Sequence, residues 1–171
     1  LPKRGLASMY GASGSGKTFL VLDCRIAISI GSDWYGHKTE QCAVIYVALE
    51  GSFGITNRLN AWEKHHKTPI PPTFRVVTDH LSLFNDGDIK EFAQTVLANK
   101  AGGGVIFIDT LNQSAPEADE NSSKDMGKVI SHAMQLQELT DSLVVLVHHP
   151  GKDPTRGMRG HSSLHAALDA V

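Results

Sequence analysis

The chain reads as an α/β domain built on a mostly parallel central sheet with helices on both faces. Three observations predict this. Apolar runs of strand length alternate with helical stretches, the pattern of βαβ units. Several of those runs are continuous in β-branched residues, as strands buried on both faces should be. A glycine-rich loop, Gly11 to Thr18, joins the first apolar run to the first helix-forming run.

Taken in order, the expected strands are Leu6–Tyr10, Ala43–Leu49, Phe74–Val77, Val105–Ile108 and Leu143–Val147. The expected helices cover Lys17–Ile30, Gly54–His66, Asp86–Asn99 and Ser122–Thr140. In the last helix Met126, Val129, Ile130, Ala133, Met134 and Leu136 recur near helical spacing, and so read as the face packed on the sheet. Pro69, Pro71 and Pro72 punctuate a loop, and Gly102-Gly103-Gly104 marks a tight approach to the next strand. No repeat or composition break divides the chain, so residues 1–171 are expected to form one domain.

At 171 residues the chain can bury a proper core, and its net charge of −2 argues against a bulk nucleic-acid coat; any such contact has to come from a local basic patch. Cys24 and Cys42 lie in apolar runs at no metal-ligand or redox spacing, so both read as core thiols in a reducing cytoplasm. No apolar stretch approaches the roughly 20 residues of a membrane span, which predicts no membrane partner. The chain begins at Leu1, which suggests a fragment of a longer protein.

Gly11, Ala12, Ser13, Gly14, Ser15, Gly16, Lys17 and Thr18 fill G-x-x-x-x-G-K-[ST] at every fixed position, in the strand–loop–helix context the motif needs. A triphosphate needs many backbone N–H donors converging on a small volume, and the glycines let the backbone bend that closely. Lys17 offers a point charge to the outer phosphates. Thr18 offers a hydroxyl to Mg²⁺, and the helix running on through Phe19 directs its positive pole at the nucleotide. ATP with Mg²⁺ is therefore the expected ligand pair.

Hydrolysis needs more than a cradle. Val105-Ile106-Phe107-Ile108-Asp109 is an apolar strand ending in an acid, a Walker B arrangement, with Asp109 as the second metal residue. Glu50 follows Val44-Ile45-Tyr46-Val47-Ala48-Leu49, and strand ends of such a sheet share one edge, so Glu50 is the candidate general base. Leu143 to Val147 leads into His148 and His149, and His149 is the candidate γ-phosphate sensor. Neighbours on a strand point to opposite faces and no third ligand stands nearby, so a metal site on this pair is not expected. Beyond it Lys152, Arg156 and Arg159 make a cationic, glycine- and proline-rich loop that could meet a nucleic-acid backbone or a nucleotide on a neighbouring subunit. The loop lacks aromatics for base stacking, so phosphate contact would dominate over readout.

The order of parts resembles the RecA-like P-loop NTPase core: phosphate loop, a strand ending in the catalytic Glu, Walker B, a strand ending in His, a basic loop. AAA+ proteins and ABC transporters usually place the catalytic acid directly after the Walker B Asp, where this chain has Thr110. The passages Gly11–Thr18, Tyr46-Val47-Ala48-Leu49-Glu50-Gly51, Ile106-Phe107-Ile108-Asp109-Thr110-Leu111, Val147-His148-His149-Pro150-Gly151-Lys152 and Arg159-Gly160-His161-Ser162-Ser163-Leu164 are most similar to the RepA-type hexameric replicative helicases and the related AAA_25-like ATPases of phages and mobile elements. That resemblance implies ATP hydrolysis between subunits of a homo-oligomeric ring and movement on single-stranded DNA. It also implies further strands after Val171, one of which Leu168-Asp169-Ala170-Val171 would begin, so the RecA-like sheet is expected to be truncated here. An inter-subunit basic finger would lie on those strands, with Arg156 and Arg159 as substitutes. Competing readings are a recombinase or helicase-loading ATPase, a P-loop kinase for a small molecule, and an ATP-dependent regulatory switch.

Overall fold

A computed structural model describes residues 1–11, 16–51, 54–148 and 162–171, without the side chains of Ser162 and Ser163. The chain runs β1 (Gly5–Tyr10), α1 (Lys17–Ile30), β2 (Val44–Ala48), α2 (Ile55–His66), β3 (Phe74–Val77), α3 (Asp86–Ala98), β4 (Val105–Asp109), α4 (Leu111–Ser114), α5 (Ser123–Thr140), β5 (Leu143–His148) and α6 (Ser162–Ala167). The expected strands and long helices are all present, their ends shifted by at most one residue. The short α4 and α6 carry no periodic signal of their own.

All five strands are parallel, in the order β1-β5-β4-β2-β3. Every strand therefore delivers its C-terminal residue to the same edge of the sheet. Side chains alternate between two covered faces. Ala7, Tyr46, Phe107 and Val145 meet Val21, Leu22 and Ile26 of α1 and Ile55 of α2. Ile45, Ile106, Ile108, Val144 and Leu146 meet Ile89 and Val96 of α3, Val129, Ala133 and Leu136 of α5 and Leu164 of α6. The Asp23 carboxylate ties α1 to its surroundings, accepting from the Trp62 indole at 2.8 Å and the Trp34 indole at 3.1 Å.

One member of the expected α5 face is corrected. Met134 is 44% exposed, while Met126, Val129, Ile130, Ala133 and Leu136 are buried. It follows Ala133 by one step of about 100°, which turns it off the stripe and into solvent. Both cysteines are free thiols, Cys24 buried and Cys42 partly so. Gly104 fulfils the expected close approach, because a Cβ there would collide with the Ala43 carbonyl. Along the outer side of β1, Leu6 N–H donates to the Asp169 carboxylate at 2.9 Å, Asp169 N–H to Leu6 O at 2.8 Å and Ser8 N–H to Ala170 O at 3.0 Å.

Candidate nucleotide site

The phosphate-loop helix starts on a residue that only glycine suits. Gly16 has φ +83°, with open space where a Cβ would be, so its requirement is conformational and not steric. Its carbonyl accepts from the amides of Phe19 and Leu20, both at 3.1 Å, which fixes the first turn. α3 and α5 begin with side-chain caps, Asn85 and Ser122, and carry Asp in their first turn. α1 has neither cap nor first-turn acid, so its positive pole is left uncompensated on the strand-end edge of the sheet. Lys17 donates to the Gly11 carbonyl across the loop mouth, Thr18 is half-buried in the first turn, and Phe19 is 64% exposed. Ala12, Ser13, Gly14 and Ser15 lie outside the described residues.

Two expected acids come together here. Ala48 of β2 pairs in register with Asp109 of β4, and beyond that point the amides of Leu49 and Glu50 both donate to the Asp109 carbonyl, at 2.8 and 3.2 Å. Glu50 is exposed and Asp109 is buried at the strand end. Their charges reach the cradle as well. Partial burial lowers the Lys17 pKa from its ordinary value, opposed first by the Asp109 carboxylate and then by Glu50. Lys17, Asp109 and Glu50 thus share one electrostatic neighbourhood.

Three further residues join the site. Arg25 of α1 is fully buried and reaches Asp109 Oδ2 with Nη2 at 3.4 Å, while the Tyr46 hydroxyl donates to the same oxygen at 3.0 Å. The guanidinium carbon lies 3.7 Å from the Tyr46 ring centroid and 4.7 Å from that of Phe107. The Arg58 guanidinium lies against Gly51 and Gly54, close enough that a Cβ at either would touch it. A lone arginine within an otherwise apolar helix face, Val21-Leu22 to Ile26-Ala27, was the available signal for Arg25, with Tyr46 and Phe107 on the facing strands.

His148 goes the other way. It is buried on the face opposite Asp109, against a small cavity lined by Leu111, Ala115, Met126 and Val129. His149, Lys152, Arg156 and Arg159 lie outside the described residues. No group of three or more His, Cys, Asp or Glu among the described residues could hold a metal ion, so a cation here would depend on a hydroxyl, a carboxylate and the nucleotide itself. No helix among them is long and apolar enough to cross a membrane.

The AAA_25 family model, described as an AAA domain, matches residues 1–155. The chain belongs to that family. Membership gives this AAA_25 domain a nucleotide-dependent ATPase activity, and the parallel α/β fold described above is that of a P-loop NTPase. No curated protein matches the chain.

Proposed function

We propose that this AAA_25 domain, residues 1–171 as one unit, is a Mg²⁺-dependent ATPase motor acting on single-stranded DNA, of the RepA-type replicative-helicase kind. The observation that carries the reading is the pair of amide bonds from Leu49 and Glu50 to the Asp109 carbonyl. They support a second acid at the end of the strand adjoining Walker B, the RecA-like placement, instead of directly after Asp109.

In this reading the loop from Gly11 to Thr18 and the N-terminus of α1 bind the phosphates, and Lys17 neutralises the outer ones. The residues fit a nucleotide-bound cation: a hydroxyl at the helix start and a carboxylate anchored at the strand end are oxygen donors suited to Mg²⁺. Thr18 and Asp109 would hold it. The ion, when bound, screens phosphate charge as the bond to the γ-phosphorus breaks. Glu50 orients the attacking water and takes its proton, while Asp109 stays with the metal. His149 reports the γ-phosphate. Lys152, Arg156 and Arg159 contact the DNA backbone or the nucleotide of a neighbouring subunit in a hexameric ring, working in the cytoplasm.

Hydrolysis measured with and without single-stranded DNA tests the motor. The expected result is stimulation, with labelled strands retained at low salt and released as salt rises. One rate under both conditions, together with no retention, removes the DNA-motor reading and leaves the ATPase.

A further inference from the structure

Asp109 does not stand alone at its strand end. Both donors to its carboxylate among the described residues converge on Oδ2: the Tyr46 hydroxyl at 3.0 Å and Arg25 Nη2 at 3.4 Å. No donor among them reaches Oδ1. A carboxylate gripped through one oxygen cannot rotate about its Cβ–Cγ bond without giving up both contacts, so the position of Oδ1 is held as well.

Arg25 is itself held with little latitude. It is fully buried, its Nε and Nη1 make no hydrogen bond to a described residue, and its charge rests on the Tyr46 and Phe107 rings. Those rings are register partners on adjoining strands, so they form one continuous aromatic floor beneath it. Attraction between a cation and a ring strengthens when both are desolvated.

The architecture gives these contacts a purpose. Thr18 and Arg25 lie on the same helix, about two turns apart. Helical side chains lean toward the N-terminus, so an Arg25 reaching Asp109 also reaches back toward the phosphate end. α1 therefore supplies a hydroxyl at its first turn and, from the same rigid element, the brace for the opposing carboxylate. We propose that Arg25 and Tyr46 are positioning residues for metal binding: they lock Asp109 through Oδ2 so that Oδ1 meets the nucleotide-bound Mg²⁺ in register with Thr18. This rests on Asp109 being the metal residue of the proposed ATPase.

Mg²⁺ titration of the binding of a fluorescent ATP analogue tests it on the whole chain, with Tyr46→Phe, Arg25→Met and Asp109→Asn beside the wild type. Tyr46→Phe keeps the ring under Arg25 and removes only the donor. It is expected to raise the Mg²⁺ concentration for half-saturation about 10- to 100-fold, the usual effect of removing an outer-sphere partner, with affinity in EDTA unchanged. Arg25→Met, where it folds, is expected to shift it in the same direction. A merely structural role would lower the melting temperature and leave the Mg²⁺ midpoint in place. A wild-type midpoint in Tyr46→Phe, with Asp109→Asn shifted, overturns the positioning role alone. A wild-type midpoint in Asp109→Asn overturns the metal assignment and this inference together.

Discussion

A carboxylate that activates water must stand beside the reacting phosphate yet not be consumed by the metal, and in the proposed mechanism the exposed Glu50 takes the first task and the buried Asp109 the second. Glu50→Gln keeps the shape and removes the proposed base. It is expected to retain ATP binding and lose about 10²- to 10⁴-fold in turnover, read by single-turnover hydrolysis beside a nucleotide titration. Lys17 gives a pH prediction. Its folded pKa is lowered because burial outweighs the attraction of Asp109 and Glu50, so in the nucleotide-free chain it gives up its proton below the ordinary value of 10.5. Only the protonated amine attracts phosphate, so nucleotide affinity is expected to fall on the alkaline side sooner than an ordinary lysine would dictate. Lys17→Arg is expected to remove that descent, since guanidinium stays charged. Arg25 shows where sequence reading stops. The carriers of charge at Gly11–Thr18, Glu50 and Asp109 were legible because each sits at the end of an apolar run. A cation inside a helix face reads as solvent-facing until the aromatic pair beneath it is known. Its truncation to Ala leaves the Asp109 carboxylate without its buried partner and is expected to cost about 3–5 kcal/mol of stability, measured by denaturant unfolding.

Helices and strands were legible where one period ran uninterrupted between glycines or polar turns, as in α1 from Lys17 to its cap at Gly31. They were less so where a side chain lay at the border of a stripe, as Met134 does on α5. Two glycines give opposite expectations for one substitution. Gly127 lies inside α5 with nothing near where a Cβ would be, so Gly127→Ala is expected to stabilise the chain by about 0.5–1 kcal/mol. At Gly104 the same change drives a methyl into the Ala43 carbonyl where β4 begins, and thermal unfolding should occur at lower temperature. The buried face of α1 also hides a thiol. Burial pushes Cys24 up to about 11, so at pH 8 it is expected to react with iodoacetamide far more slowly than an exposed cysteine, as read by mass spectrometry.

At the scale of the molecule, parallel pairing alone brings the functional positions together. β5 lies between the phosphate-loop strand and the Walker B strand, and β2 adjoins the latter, so residues 17, 50 and 109 meet at one edge despite their separation in sequence. The edge was legible from alternating apolar runs; the order of strands across the sheet was not, since no local pattern records which strand lies beside which. Because the site is assembled from several elements, ligand binding should stabilise the whole fold. A hundredfold excess of nucleotide over its Kd adds about 2.7 kcal/mol, and the expected rise in Tm with ATP and Mg²⁺ should vanish in Lys17→Ala. The outer flank of β1 has a mechanical meaning. Leu6, Ser8, Asp169 and Ala170 join two parallel stretches through two backbone hydrogen bonds and one onto the Asp169 carboxylate, an arrangement that would load in shear the strand leading into the phosphate loop if residues 169–170 were pulled along the strand. Residues 169–170 and the phosphate loop are thus a single strand apart.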